Sequence, residues 1–255
     1  MDISVSQLGC YKQCRRLYYL KYKLGLEPVQ TAEALITGSN YHEMVEKISR
    51  GEEVDFPRSA LGAMLWAYSS FIAPKIDVAE QEKWFKYPLP GGRHNLIGRF
   101  DGITSDGVIV EHKTTSSPID ESYIYNLQFN DQIKAYLLAS GRNTLWYTSC
   151  SKPKLRQKKD ETEEEYFQRC CSWFENDTDS KIRLFEQYRT QEELKNFETE
   201  VAKIADEIEA CTLFFRNPAN CSTWSGCPYR SICPSEHPQP GLAFQISEWR
   251  RPEDI

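Results

Sequence analysis

Two neighbouring segments decide how this chain is read: Ile97-Gly98-Arg99-Phe100-Asp101-Gly102-Ile103 and Val108-Ile109-Val110-Glu111-His112-Lys113-Thr114-Thr115. Asn95–Thr104 and Val108–Thr114 are β-rich and alternate, and Ser105-Asp106-Gly107 between them has hairpin-turn chemistry. Glu111 and Lys113 stand two apart on a strand, so both point to one face. Asp101 lies on the preceding strand, where a short hairpin register can set it opposite Glu111. Two carboxylates at close range repel each other, and a divalent cation held by their hard oxygens gives them a reason to converge. On this reading Asp101 and Glu111 are metal ligands and the carbonyl of His112 completes the shell. Lys113 then orients an attacking water or stabilises charge on phosphorus. The bare pattern Asp-x9-Glu-x-Lys is also compatible with an exposed hairpin of ordinary alternating charge.

Outward from the hairpin, the pattern is helical before it and mixed after it. Residues 3–24 (capped at Ser6), 31–50 (stopping at Gly51) and 58–75 are expected helices, from apolar spacing and cap residues. Glu82–Leu89 reads as a strand running into a Pro88-Leu89-Pro90-Gly91-Gly92 turn. Residues 121–140 read as helix, Thr144–Cys150 as a buried strand and residues 191–215 as an amphipathic helix, while 216–255 reads as irregular. The order predicts an α/β core with a mixed sheet. Residues 152–165 segregate their charge: Lys152, Lys154, Arg156, Lys158 and Lys159 come first, then Asp160, Glu161, Glu163, Glu164 and Glu165. This reads as a solvated loop entering a helix, or as a basic loop touching a nucleic-acid backbone.

The chain of 255 residues is 40% hydrophobic, enough for one large domain or two small ones. No apolar run is long enough to span a membrane. The start Met1-Asp2-Ile3-Ser4-Val5-Ser6 has neither a basic nor an apolar leader region, which predicts a cytoplasmic protein. The net charge of -6 argues against nonspecific duplex binding by overall charge, although metal-holding carboxylates would add to it. Nine cysteines in such a chain point to metal or redox chemistry more than to disulfides.

The set Asp101…Glu111-His112-Lys113 resembles the motif of the PD-(D/E)XK nuclease superfamily. His42, in Gly38-Ser39-Asn40-Tyr41-His42, resembles the helix histidine that the RecB-like branch adds to its metal shell. Gln132-Ile133-Lys134-Ala135-Tyr136 resembles the helix motif that follows the lysine strand there, with Gln132 and Tyr136 positioning the lysine or contacting DNA. All four elements come in the expected order. Phe100 stands where that family often has proline, and Asp131 beside Gln132 is a rival for the helix role. His42 alone also reads as a core histidine, and Gln132 and Tyr136 as packing and capping residues.

Cys14, Cys221, Cys227 and Cys233 complete the resemblance: one cysteine precedes the core and three follow it. This resembles the iron–sulfur staple of RecB-like nucleases, including AddB, the CRISPR-associated adaptation exonucleases and phage exonucleases, and the likeness covers residues 6–234. Four thiolates hold either a [4Fe–4S] cluster or zinc. The Cys-x5-Cys-x5-Cys spacing lacks the Cys-x2-Cys knuckles of zinc ribbons, which favours the cluster. Cys14 is followed by arginine, and Cys10 is a rival ligand. A cluster joining Cys14 to Cys221 closes a long loop and constrains the unfolded chain, a structural role. Cys150, Cys170, Cys171 and Cys211 carry no assigned role.

The resemblance implies a restriction-endonuclease-like core in one nuclease domain over 1–255. Its parts are a helical 1–80, the catalytic sheet and helix 81–150, an insertion and helix 151–215, and a cysteine-rich 216–255 joined to the N-terminal segment by the cluster. It implies a Mg2+- or Mn2+-dependent exonuclease acting on DNA ends in recombination, repair or phage DNA metabolism, in a bacterial, archaeal or phage-infected cell. The alternatives are an endonuclease or flap nuclease, a DNA-binding subunit with a degenerate site, and a zinc-stapled interaction domain. Single strands or duplex ends are the expected partner. No ATPase motif is present, so any helicase or recombinase is a separate chain, and oligomeric state is open.

Overall fold

In the computed structural model, residues 1–29, 33–222, 226–239 and 241–247 are described, and of residues 33–35 only the backbone. The chain opens not in helix but in a short strand, β1 (Asp2–Ser4). Ser4 ends that strand by capping helix α1 (Val5–Gln13): its side chain accepts from the Gln7 N–H, and the Gln7 side chain accepts from the Ser4 N–H. This reciprocal box displaces the expected cap at Ser6. The expected single helix breaks at Cys14, whose backbone is extended, and resumes as a short turn, α2 (Arg15–Tyr18), and a wide turn over Tyr19–Lys23. Strand β2 (Leu26–Pro28) follows.

Helix α3 (Glu33–Ser49) matches its expected span within the described residues and stops before Gly51, which takes a left-handed φ of 73°. Helix α4 (Ala60–Phe71) ends before Pro74, where the chain passes into a 3-10 turn over Ala73–Lys75. Its Gly62 is obligatory: an added Cβ would lie 1.7 Å from the Pro57 carbonyl oxygen. Strand β3 (Val78–Pro88) starts earlier than expected. Strands β4 (Asn95–Thr104) and β5 (Ile109–Thr115) form the anticipated hairpin. Its turn is closed by Thr104 N–H donating to Val108 O at 2.9 Å, with Gly107 at φ 80°.

The expected helix over 121–140 is two helices, α5 (Glu121–Asn126) and α6 (Asp131–Ser140). Asn130 divides them: its side chain accepts from the N–H groups of Gln132 and Ile133, so a fresh N-terminus starts there. Strand β6 (Thr144–Ser151) agrees with its reading. Helix α7 (Glu163–Glu175) begins behind the basic loop with a Thr162–Glu165 capping box. Strand β7 (Ile182–Tyr188) was not expected, helix α8 (Gln191–Ala210) ends before 215, and β8 (Phe244–Ile246) pairs antiparallel with β2.

The chain forms two compact units. One comprises Met1–Ala32, Lys86–Gly98 and Lys195–Ile255; in it β1 lies parallel to the first residues of β4. The other comprises Glu33–Phe85 and Arg99–Leu194 and is an α/β layer structure. Its sheet is mixed: β4 is antiparallel to β5, β5 parallel to β6, and β6 antiparallel to β7. One face packs on α3, α4 and α7 through Tyr41, Val45, Met64, Tyr68, Phe167 and Phe174. Helix α6 packs against β5 and β6 and buries Ile133, Tyr136 and Leu137. No helix among the described residues is long and apolar enough to cross a membrane.

Candidate active site

The β4–β5 register pairs Gly102 with Val110, and one further step sets Asp101 opposite Glu111. Asp101 is fixed from the backbone: the His112 N–H donates to its Oδ2 at 2.9 Å. His42 on α3 brings Nδ1 to 3.4 Å from the same oxygen. Glu111 is wholly buried, and its Oε1 is in ion-pair contact with the Nζ of Lys113. Beyond that contact and the nearby Tyr136 hydroxyl, the buried Glu111 carboxylate has no well-formed hydrogen bond among the described residues. A buried carboxylate without donors is costly unless something else satisfies it.

The electrostatics separate the two acids. Burial and the neighbouring Asp101 push the Glu111 carboxyl up to about 8, and Lys113 only partly opposes them. Burial also works against ionised Asp101, but Lys113, His42 and His112 overcome it and hold its carboxyl below the usual range. Burial tends to lower Lys113, yet Glu111 and Asp101 keep its ammonium above its ordinary value. His42 is lowered by burial, against the pull of Asp101, so it presents a neutral ring.

Asp101, Glu111, Lys113 and His42 thus converge. Alternation along β5 sends the His112 side chain to the other face. There it lies edge-on to Tyr68 at 5.4 Å, and its Nδ1 is 2.7 Å from Thr148 Oγ1. Burial drops that imidazole to about 4, so it is a neutral core residue, and only its backbone remains near Asp101. Gln132 and Tyr136 are engaged with each other: the Gln132 amide donates to the Tyr136 hydroxyl at 2.9 Å, and that hydroxyl donates to the Arg99 carbonyl oxygen. They brace β4 two residues before Asp101. Asp131 pairs with Lys134 at 3.5 Å. Phe100, on the opposite side of β4 from Asp101, stacks on Phe85 at 4.7 Å and meets Tyr136 edge-on at 5.0 Å, so the position favours an aromatic ring.

A cleft of about 590 Å3 opens over the site, lined by His42, Glu46, Glu82, Arg99, Asp101 and Lys152 among others. Glu82, Arg99 and Lys152 were not expected there. Glu82 sits at a left-handed kink in β3 (φ 53°) that aims an acid into the cleft, and it pairs with Arg99. Burial, with Asp101 and Glu46 nearby, raises its carboxyl in spite of Arg99. No periodic signal marks such a kink in sequence.

The donor set suits a hard divalent cation. Two facing carboxylates, one of them wholly buried, and a neutral histidine are ligands such an ion accepts.

The four anticipated cysteines lie in the other unit, but among the described residues no three of their sulfurs come within 4.8 Å of one another. Cys14 Sγ accepts from the Asn217 N–H at 3.3 Å, and Cys221 Sγ is 3.9 Å from the Asn217 carbonyl oxygen. Burial raises the Cys227 thiol, and Cys221, Cys233 and Cys14 raise it further, which places all four within electrostatic reach. Cys10 is close enough to feel Cys14 and Cys227, and burial pushes it up to about 12. His94, Asp206 and Glu209 bring ligand atoms within 4.8 Å of one another. Arg93 pairs with both of those acids and the Met1 amine bonds His94, so ordinary ion pairing accounts for that group.

A family model described as the PD-(D/E)XK nuclease superfamily matches residues 2–86 and 58–234. Among solved structures, that of SSO0001 is similar with a TM-score of 0.51 and 16% identity, covering 91% of this chain and 86% of the other. The alkaline exonuclease LHK-Exo from Laribacter hongkongensis aligns with a TM-score of 0.36 and 16% identity over 68% of this chain and 79% of its own. No curated protein sequence matches the chain.

Proposed function

The chain belongs to the PD-(D/E)XK nuclease superfamily, and on that premise we propose that it is a Mg2+- or Mn2+-dependent DNA exonuclease. The observation that carries the metal-dependent reaction is the Asp101–Glu111 pair facing across the hairpin, with the Lys113 ammonium against the buried Glu111. Asp101, Glu111, His42 and the His112 carbonyl would hold the cation. When bound, it supplies Lewis acidity toward the attacking water and the scissile phosphate. The chain's own groups do the rest. Lys113 holds its proton firmly, so its ammonium orients the water and offsets charge developing on the phosphate oxygens. The Tyr136–Arg99 bond keeps β4 in place, and Gln132 fixes that hydroxyl. The exonuclease assignment rests on the RecB-like resemblance of His42, Gln132, Tyr136 and the four cysteines. Those cysteines would hold a [4Fe–4S] cluster, with zinc as the alternative; the reading rests on the resemblance and on the nearness of Cys227 to the other three.

End-labelled linear and circular DNA, single- and double-stranded, with Mg2+ or Mn2+, tests the reading. Release of nucleotides from linear but not circular substrate is expected. Cutting of circles would replace exonuclease by endonuclease, and binding without cutting in either metal would leave a DNA-binding subunit.

A further inference from the structure

The acidic half of residues 152–165 is tied into the fold, whereas three cations of the basic half, Lys154, Arg156 and Lys159, are not paired among the described residues. Glu161 is bound by the Arg169 guanidinium and by the Lys158 N–H, and Glu164 pairs with Arg58 at 2.6 Å. Glu165 closes the capping box with Thr162, and Glu163, Glu164 and Glu165 occupy the first turn of α7, where the helix dipole favours anions. By contrast Lys154, Arg156 and Lys159 are exposed and make no ion pair among the described residues. Five of the eight residues 152–159 are cations and none is an anion, in a chain of net charge -6.

The loop is also held in place. Leu155 packs on the core cluster, the Tyr166 hydroxyl donates to the Leu155 carbonyl oxygen at 2.8 Å, and Arg169 donates to the Arg156 carbonyl oxygen at 2.9 Å. Its origin lies at the candidate site. Ser149 pairs with Lys113 and Ser151 with Thr115, the Lys152 N–H then donates to the Thr115 carbonyl oxygen at 2.7 Å, and Lys152 lines the cleft. Exposed cations on an anchored loop leaving the carboxylate-lined cleft suit a polyanion whose backbone continues out of it.

We propose that Lys154, Arg156, Lys158 and Lys159 form a rail for the phosphate backbone of the DNA strand whose end lies in the cleft. The assignment rests on the nuclease reading of that cleft. The rail reads no bases; it adds affinity and register.

The test compares the full chain with a K154Q/R156Q/K158Q/K159Q variant, by anisotropy of a fluorescent single-stranded oligonucleotide in Ca2+ over a salt series and by turnover in Mg2+. Lys154, Arg156 and Lys159 make no ion pair among the described residues and Lys158 is an exposed neighbour of Glu161, so the thermal midpoint should move little. Affinity should fall at least tenfold at low salt. The log–log salt slope should shrink by roughly 3, about 0.7 for each phosphate no longer neutralised. kcat at saturating DNA should hold within about twofold while KM rises. A D160Q/E163Q variant, altering the acidic half, should not weaken binding. Unchanged affinity and slope in the quadruple variant would overturn the rail even if cleavage proceeds. Loss of kcat with KM unchanged would also overturn it, by placing these residues in the chemistry. If the protein never cuts but binds DNA through these four residues, the rail stands and the nuclease reading falls.

Discussion

The His112 N–H reaches 2.9 Å to Asp101 Oδ2, so the strand that carries Glu111 also holds the acid facing it. The hairpin is therefore both scaffold and clamp: the two carboxylates cannot separate without breaking a backbone hydrogen bond. Asp101→Asn keeps an acceptor oxygen for that bond and removes the charge. Nuclease activity should drop by about 100-fold or more, the size seen when one electrostatic group is removed from a preorganised site. The metal-free variant should melt lower than the parent at neutral pH, because the ionised Asp101, held below its usual range by Lys113, His42 and His112, contributes stability there that the amide forfeits. A variant with undiminished turnover would remove Asp101 from the mechanism.

Glu111 makes the metal-free protein sensitive to pH. Its folded carboxyl sits at about 8, against an ordinary 4.5. Below the ordinary value both states are protonated. As pH rises from there towards 8 the unfolded chain releases this proton while the folded one keeps it. Stability from this group is therefore lost across that window, by roughly 1.4 kcal/mol per pH unit. Melting points of EDTA-treated protein from pH 5 to 8 should decline, and Mg2+ should reverse the decline. Glu111→Gln should flatten the profile; a slope that survives in that variant would point to another group.

Metal binding should expel that proton. Calorimetric titration with Mg2+ in buffers of different ionisation enthalpy should show close to one proton released at pH 7 and almost none well above the Glu111 value. Proton release equal at both pH values would contradict the assignment of Glu111 as ligand.

The Tyr136 hydroxyl donates to the Arg99 carbonyl of β4 and lies beside Glu111, so Tyr136→Phe should act chiefly through position. Stability should fall by about 1–3 kcal/mol, the cost of leaving the Arg99 carbonyl without its donor. kcat should fall by roughly one order of magnitude with Mg2+ affinity nearly unchanged. Loss of metal binding instead would make Tyr136 part of the cation shell.

Anaerobically purified protein should absorb visible light if iron occupies the cysteines, since thiolate-bound zinc is colourless. Cys14→Ser, Cys221→Ser, Cys227→Ser and Cys233→Ser should each bleach it, and Cys10→Ser should not. Bleaching by Cys10→Ser with Cys14→Ser coloured would exchange those two ligands.

The β4–β5 hairpin was legible because three local signals agree there: strict alternation, a Ser-Asp-Gly turn, and charge on one face. His42 was legible only by order and resemblance, since helical spacing alone fits a core position equally well. What escaped did so for identifiable reasons. Asn130 splits a continuous apolar pattern by capping its own backbone, which periodicity does not register. Strand β7 buries Ile182 on one face but Phe185 and Gln187 on the other, so no single alternation runs through it. Glu82 enters the cleft because β3 kinks, and the identity of a glutamate says nothing of its φ. His112 entered the reading through its carbonyl alone, and the period of two that unites Glu111 with Lys113 turns its ring to the opposite face.

That neutral ring has a consequence for traffic. Behind β5, His112, Tyr68 and Thr148 form a dry partition that carries no positive charge at neutral pH, while Lys113 on the cleft side remains 32% exposed. Among the described residues, the cleft lined by Asp101 and His42 is the open approach to the acids for a counterion. A nucleic-acid strand lying across the mouth of that cleft acts as a stopper, so the ion should load before the strand and exchange slowly until the strand departs.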